Sequence, residues 1–178
     1  MPNFLNLPPF AEGSDVHVVV ETPRGSRAKF AYDPKLETFA LSKSLLTGLT
    51  YPHDWGFVPS TKADDGDPLD IMVIHDAATF SGLVVTCRVI GILQIEQKSK
   101  KKSERNDRLF AVPRRSHSER ALKDVADLSK PIREELEKFF IATDELESKK
   151  LNIIGWKGPK LALQAIKDAA KSFAKDDQ

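Results

Sequence analysis

The chain has 178 residues and a formal net charge of only +1, because 27 lysines and arginines are balanced by 26 aspartates and glutamates. This balance excludes a strong overall attraction to nucleic acid or to an anionic membrane, so any functional electric field must be local. The single cysteine excludes an internal disulfide framework, and the sequence shows neither a secretory signal pattern nor an apolar run near the about 20 residues of a membrane span. We therefore expect one cytoplasmic domain over residues 1–178.

The first two thirds of the chain has the pattern of short β-strands. Runs of β-branched and alternating apolar residues are separated by Gly, Pro and Asp, which are turn residues. The predicted strands are 16–21, 28–32, 38–42, 70–75, 83–96 and 108–113. Gly91 predicts a bulge or bend in the longest of them. At least five strands at this spacing predict a closed or nearly closed barrel.

The last third changes to a helical period. From Ile132, the apolar residues Leu136, Phe139 and Phe140 fall on one helix face, and Ser129 is the predicted N-cap. After a possible further strand at 151–156, Pro159 opens a second helix. Its predicted buried stripe is Leu161, Ala165, Ile166, Ala169 and Phe173. The fold class is therefore α+β, a barrel with C-terminal helices packed on it.

The segment "DDGDPLDIMV" (64–73) places four aspartates in seven positions next to an apolar run. Two carboxylates about 6 Å apart repel by roughly 3 kcal/mol at an effective dielectric constant near 20. The Gly-Asp-Pro kink at 66–68 could bring Asp65, Asp67 and Asp70 to one side of the chain. Carboxylates are hard ligands that suit Mg²⁺ or Mn²⁺, and a bound dication would reverse the repulsion.

Two simpler interpretations compete with a metal site. A calcium-binding loop of the helix–loop–helix type needs an oxygen ligand at its fifth position, and counting from Asp65 that position is Leu69. A solvated acidic turn explains Asp64 well, because Asp and Gly are turn residues. It does not explain Asp70, which lies within an apolar strand where a charged group needs a partner.

The segment "DGDPLDI" (65–71) matches the signature of the soluble family I inorganic pyrophosphatases, and the chain resembles this family well beyond it. Further matching segments in the same order are 18–23, 28–30, 51–59, 87–91, 111–113 and 139–156. The resemblance implies an OB-like five-stranded β-barrel flanked by helices. It also implies a site at the barrel mouth where Mg²⁺ ions hold pyrophosphate. Since family members often form symmetric oligomers, a homo-oligomer is also expected.

The resemblance assigns roles to individual residues. Asp65, Asp67 and Asp70 match metal-binding aspartates, and Asp67 matches the residue that activates the attacking water. Glu21 matches a carboxylate at the edge of the metal site.

A second set of matching residues is expected to bind phosphate. Lys29 and Tyr51 match phosphate-binding groups of the family, and Tyr51 is counted with Asp67 as catalytic. Lys43 stands where the family has Arg. Lysine keeps the positive charge but lacks the bidentate fork of arginine. Arg108 stands where the family has Lys, and either residue suits a phosphate.

Several residues at the expected site depart from the family pattern, mostly on the wall opposite the aspartates. They are Ala31, Trp55, Gln97, Lys98, Asn106, Thr143 and Asp144. Glu104 or Asp107 could supply a missing carboxylate through a shifted register. Fewer anionic ligands would hold fewer divalent ions.

Three functions are compatible with these residues. The first is Mg²⁺-dependent hydrolysis of pyrophosphate, and the second is action on another small phosphate compound. The third is non-catalytic binding of phosphate or single-stranded nucleic acid, for which the basic run 98–105 lacks interleaved aromatics and is better explained as a solvated hairpin. The His-Asp pairs at 53–54 and 75–76 do not lie on facing helices and so do not favour a His-Asp metal phosphohydrolase.

Overall fold

A computed structural model describes residues 3–176, in which nine strands and two α-helices follow one another. The strands are β1 (Val16–Thr22), β2 (Ala28–Asp33), β3 (Thr38–Ser44), β4 (Asp54–Val58), β5 (Leu69–Val73), β6 (Val84–Lys98), β7 (Ser103–Arg105), β8 (Arg108–Pro113) and β9 (Lys150–Lys157). The helices are α1 (Lys130–Glu145) and α2 (Pro159–Asp176), and 3₁₀ turns occupy Phe4–Asn6 and Val125–Asp127.

Among the described strands, five close into a ring in the order β1, β4, β5, β8 and β6, with β6 returning to β1. Only the β5–β8 pair of this ring is parallel. The 15-residue β6 extends beyond the ring and pairs there with β7 and β9. The ring confirms the predicted α+β, OB-like architecture, although this extension makes it irregular. The register of β6 against β8 shifts between Val89 and Gly91, where a bulge or bend was expected.

Strand β4 was missed by the sequence analysis because it has a glycine at its centre, and glycine weakens a strand pattern. The structure explains this glycine. A Cβ atom at Gly56 would lie 1.9 Å from the carbonyl oxygen of Val19 on β1. Only glycine allows the two strands to approach this closely, so Gly56 closes the ring between β1 and β4.

Alternate residues of the central strands enter two apolar clusters. Met72 and Phe110 pack in the cluster that includes α1, whereas Ile71 and Leu109 pack in the cluster that includes α2. This alternation follows from the two-residue period of a strand. The lone Cys87 is fully buried in the second cluster, where burial raises the pKa of its thiol, so it acts as a small apolar side chain.

Helix α1 buries Leu136, Phe139 and Phe140 of the predicted face, whereas Ile132 in its first turn is 42% exposed. Ser129 occupies the N-cap position, but its side chain makes no capping hydrogen bond. Pro131 lies in the first turn, where the absence of its backbone N–H costs nothing.

Helix α2 begins at Pro159 as expected, and its predicted buried stripe is confirmed at Ile166 and Ala169 but is wrong at Leu161. Ala162, Ile166 and Ala169 are buried, whereas Leu161, predicted to be buried, is 43% exposed. The reason is geometric, because Leu161 lies about 100° around the helix from Ala162. Within the described residues, neither helix combines the length and apolar character needed to cross a bilayer.

Candidate active site

One cavity of about 150 Å³ brings together seven of the eight residues predicted to form the site. They are Lys29, Lys43, Tyr51, Asp65, Asp67, Asp70 and Arg108. They come from β2, β3, β5, β8 and two connecting segments, and helix α1 covers one side through Phe139 and Phe140. The eighth residue, Glu21, is buried nearby and is not part of the cavity lining.

The acidic wall of the cavity is shaped by the turn before β5. Gly66 has a φ of 91°, which favours glycine, and the backbone N–H of Asp67 donates to Asp65 Oδ1 at 3.1 Å. Asp65 and Asp67 are exposed at the cavity mouth, whereas Asp70, in β5, is partly buried deeper in it. The kinked turn therefore directs three carboxylates to one cavity, as the sequence pattern suggested.

Burial disfavours the charged forms of these carboxylates, and neighbouring cations only partly oppose that effect. Loss of solvent raises the pKa of Asp67, and the Asp65 charge raises it further. Burial likewise raises the pKa of Asp70, although the Arg108 charge opposes the shift. Burial also raises the pKa of Glu21 to about 7, even though its carboxylate accepts a hydrogen bond from the Tyr32 backbone at 2.8 Å.

Two lysines lie directly opposite each other on the β2–β3 hairpin. Lys29 pairs in register with Lys43, an arrangement of like charges that is unfavourable without an anion nearby. Lys43 Nζ donates to the carbonyl of Thr143 and forms an ion pair with Glu147 at 2.5 Å. Lys29 forms no ion pair or hydrogen bond with any residue in the described part of the chain, so its ammonium group is available to a ligand.

Glu147 is a cavity residue that the sequence analysis missed. It bridges Lys43 (2.5 Å) and Lys149 (3.0 Å), which also line the cavity. Partial burial raises the pKa of Glu147, but hydrogen bonds and charge from the two lysines outweigh this and lower it to about 2. Glu147 is 104 positions from Lys43, and no local pattern in the sequence connects them.

The wall opposite the aspartates is a chain of hydrogen bonds built from residues that depart from the family pattern. Arg108 Nη1 donates to Asp70 Oδ2 at 2.5 Å and also to Asn106 Oδ1. Asn106 Nδ2 donates to Gln97 Oε1 at 2.8 Å, and Gln97 Nε2 donates to Asp144 Oδ2. The replaced residues therefore form one connected network across the cavity.

The other departures contribute no carboxylate to the cavity lining. Thr143 lines the cavity, but its hydroxyl donates to the carbonyl of Phe140 at 3.0 Å. Ala31 lies in β2 opposite Ala40. Trp55 is 4% exposed and lines the cavity with its ring beside Tyr51.

The basic run 98–105 forms an exposed hairpin beside the cavity. Three of its cations are paired with acids: Lys98 with Glu96, Lys102 with Glu104 and Arg105 with Asp107. Neither Glu104 nor Asp107 lines the cavity, so neither replaces a carboxylate of the opposite wall there. This pairing supports a solvated hairpin and weakens the case for a nucleic-acid groove.

The donor chemistry of the acidic wall fits a small, hard cation. Within residues 3–176, no three His, Cys, Asp or Glu side chains form a ready-made ligand cluster. Mg²⁺ does not require such a cluster, because proteins usually bind it through one or two carboxylates together with water and substrate phosphates. A dication bound here would favour the charged forms of Asp67 and Asp70, which burial disfavours.

Comparisons with known proteins agree on one family. The family model described as inorganic pyrophosphatase matches residues 18–174. The chain is 36% identical over 158 residues to an inorganic pyrophosphatase of Synechocystis sp., covering 89% of this chain and 91% of that protein. It is 34% identical over 171 residues to the inorganic pyrophosphatase of Thermus thermophilus, covering 94% and 95% of the two chains.

Solved structures show the same similarity. The crystal structure of the Thermus thermophilus inorganic pyrophosphatase superimposes with a TM-score of 0.88 at 32% identity, covering 97% of this chain and 99% of that one. The Helicobacter pylori inorganic pyrophosphatase superimposes with a TM-score of 0.82 at 29% identity, covering 92% and 96%.

Proposed function

Since the chain belongs to the inorganic pyrophosphatase family, we propose that this cavity carries out the hydrolysis of pyrophosphate to two phosphates. One observation carries the assignment: five carboxylates and four cationic side chains, from segments distant in sequence, line a single small cavity. Pyrophosphate is a compact polyanion, and its hydrolysis requires a cation, a proton acceptor and groups that bind phosphate oxygens.

We propose that Asp65, Asp67 and Asp70 hold the divalent cation, with Mg²⁺ as the first candidate and Mn²⁺ as the second. Glu21 is retained as a carboxylate at the edge of this site, which it would influence through its charge. When bound, such an ion lowers the pKa of water and neutralises charge on the leaving phosphate.

Asp67 is the best placed of the three aspartates to accept a proton from water. Asp70 is engaged by Arg108, and Asp65 accepts a backbone hydrogen bond. The Asp67 carboxylate lines the cavity and accepts no hydrogen bond from any described residue, so its oxygens are free to contact water. General-base catalysis requires such a free, positioned carboxylate.

The cationic residues and Tyr51 would bind the phosphate oxygens. Lys29, Lys43 and Arg108 supply charge-assisted hydrogen bonds. Burial raises the pKa of the Tyr51 hydroxyl, so the group remains a proton donor at neutral pH. Together these residues would position the substrate, which is the main requirement in phosphoryl transfer.

The direct test measures phosphate release from pyrophosphate by the purified protein with Mg²⁺, with Mn²⁺ and with EDTA. We expect release with Mg²⁺, loss in EDTA and recovery when Mg²⁺ is added in excess. Absence of release with either metal would contradict the proposal. A panel of small phosphate esters and anhydrides would then test the second function, and salt-dependent binding of a single-stranded oligonucleotide would test the third.

Replacing Lys29 with methionine should lower kcat/KM for pyrophosphate by about 10- to 100-fold, as expected when a charge-assisted hydrogen bond of about 1.5–3 kcal/mol is lost. The thermal midpoint should hardly change, because the Lys29 ammonium group forms no ion pair or hydrogen bond with a described residue, and the substitution leaves the backbone pairing with Lys43 intact. Steady-state kinetics and thermal melts provide the measurement.

Lys35→Met is the matched control, since Lys35 is exposed at the turn of the same hairpin and does not line the cavity. It should behave as wild type. Equal kcat/KM values for the two variants would remove Lys29 from the site.

A cytoplasmic location and a homo-oligomeric state are also part of the proposal. The fully buried free thiol of Cys87 is consistent with a reducing compartment. Exposed Leu36, Leu41 and Phe80 provide apolar surface that a second copy could cover. Analytical ultracentrifugation measures the oligomeric state directly.

A further inference from the structure

Tyr51 lines the cavity from a connecting segment just before β4, where no strand pairing fixes its main chain. Within the described residues, that main chain makes two hydrogen bonds, and both go to the turn after β1. The Tyr51 N–H donates to the carbonyl of Ser26 at 3.0 Å, and the Gly25 N–H donates to the carbonyl of Tyr51 at 2.9 Å. The place of the Tyr51 side chain in the cavity therefore depends on how this turn, residues 23–26, is held.

The turn 23–26 is anchored by the carboxylate of Asp54. The turn belongs to no strand, and Gly25 within it has a φ of 79°, a conformation that favours glycine. The backbone N–H of Arg24 donates to Asp54 Oδ1 at 2.8 Å. Asp54 is fully buried, so this charge-assisted hydrogen bond is shielded from water.

The Asp54 carboxylate is itself held from the other side. Thr79 Oγ1 donates to Oδ1 at 2.7 Å, and His75 Nε2 donates to Oδ2 at 2.6 Å. Both partners lie in the segment that follows β5, and neither they nor Asp54 line the cavity. A polar cluster outside the cavity thus connects to it through the turn 23–26 and Tyr51.

Aromatic packing is the alternative explanation for the position of Tyr51. Its ring centroid lies 5.0 Å from that of Phe139 and 6.4 Å from that of Trp55. Aromatic pairs are favourable at any centroid separation between about 4.5 and 7 Å, so packing alone sets the position of the hydroxyl loosely. Catalysis needs a tighter tolerance, since a displacement of about 1 Å can cost about 100-fold in rate.

We propose that Asp54 is a positioning residue for Tyr51: it anchors the turn 23–26, which fixes the main chain of Tyr51 and so the place of its hydroxyl in the cavity. Thr79 and His75 hold the Asp54 carboxylate for this purpose. The inference rests on the proposed function, because Tyr51 is one of the groups proposed to bind the phosphate oxygens.

The test observes Tyr51 directly, by ¹⁹F NMR of ligand-free protein labelled with 3-fluorotyrosine. The chain has two tyrosines, so Tyr32 is an internal reference and Tyr51→Phe assigns the two signals. Asp54→Ala should shift or broaden the Tyr51 signal. The Tyr32 signal should stay in place, since that ring packs against Phe4 and Phe39.

Two further variants separate the position of Tyr51 from the stability of the protein. Ile166→Ala truncates a fully buried side chain in the apolar cluster that includes α2, so it should destabilise the protein without moving the Tyr51 signal. Thr79→Val keeps the branched shape, removes one hydrogen bond to Asp54 and should give a smaller shift of the Tyr51 signal. If Asp54→Ala does not fold, Thr79→Val decides alone. An unchanged Tyr51 signal in the folded variants of the cluster, or an equal shift in Ile166→Ala, would overturn the proposal.

A double-mutant cycle connects the position of Tyr51 to the reaction. At a temperature where all variants are folded, Asp54→Ala should lower kcat/KM for pyrophosphate by about 10- to 100-fold, and Ile166→Ala should match wild type. In a Tyr51→Phe background, which lacks the hydroxyl, Asp54→Ala should cause little further loss. Fully additive losses would refute a route through Tyr51.

The two readouts also separate this inference from the proposed function. The ¹⁹F signals need neither metal nor turnover, so they report the anchoring of Tyr51 even in a protein that releases no phosphate. Absence of phosphate release from wild type would contradict pyrophosphate hydrolysis, whereas an unmoved Tyr51 signal would contradict positioning by Asp54.

Discussion

Asp67→Asn should lower kcat for pyrophosphate hydrolysis by about 10²- to 10⁴-fold, the range contributed by a positioned general base. Asparagine keeps the shape of aspartate but neither accepts a proton from water nor carries the charge that a divalent cation needs. The loss should appear at every pH at which wild type is active. Asp67 is exposed at the cavity mouth and only its backbone N–H donates to Asp65, so the thermal midpoint should change little.

The matched control is Asp64→Asn, three positions earlier in the same acidic turn. Asp64 is exposed and does not line the cavity that contains Asp67 and Asp70. Steady-state phosphate release at saturating Mg²⁺ compares the two variants. Wild-type kcat in Asp67→Asn would remove Asp67 from catalysis. Equal losses in both variants would show that the negative charge of the turn matters and the identity of the base does not.

Asp54→Ala should reduce the free energy of unfolding by about 3–5 kcal/mol, the effect of removing one partner from a buried charged pair. Asp54 is fully buried and accepts three hydrogen bonds, from His75 Nε2 at 2.6 Å, Thr79 Oγ1 at 2.7 Å and the backbone of Arg24 at 2.8 Å. Alanine leaves the buried His75 donor without its acceptor, together with the less buried donors of Thr79 and Arg24. Urea unfolding followed by circular dichroism gives the free energy.

Asp76→Ala is the control, because Asp76 is the exposed acid beside His75 and its replacement should change the unfolding free energy only slightly.

The pH dependence of the unfolding free energy provides a second check. The hydrogen bond that His75 donates to Asp54 raises the pKa of His75 above 6.5, and the charges of Asp54, Glu119 and Asp76 act in the same direction. The stabilisation is therefore complete below pH 6.5 and is lost as the pH rises through the folded-state pKa. Equal unfolding free energies for Asp54→Ala and wild type would exclude this cluster as a stabilising element.

The cluster of Asp54, His75 and Thr79 could not be predicted from local sequence patterns. The sequence displays two His-Asp pairs, 53–54 and 75–76, and each looks like a local unit. In the fold the important contact crosses between them, from His75 to Asp54, because β4 and β5 are antiparallel neighbours. Asp54 is in register with Val73, so His75, two residues beyond the end of β5, comes close to it.

The positions of most strands and both helices were predictable, since their apolar periods follow directly from backbone geometry. Strand β4 was not predictable, because the glycine at its centre weakens the strand pattern. The reason for Gly56 is the close approach of β1, which no local pattern shows. The prediction that Leu161 of α2 is buried was wrong for a related reason. Periodicity identifies a helix, but the surface against which it packs decides which stripe is covered.

The sequence alone determined the chemistry of one wall, because Asp65, Asp67 and Asp70 lie within six residues and a single kink brings them together. Only the tertiary structure decided what faces them. The opposite wall joins β6, β8 and α1, and its residues became a connected chain of hydrogen bonds ending at Arg108. Short-range geometry constrains neighbours in the chain, whereas hydrogen bonds and burial between distant segments exist only after the strands have closed into a ring.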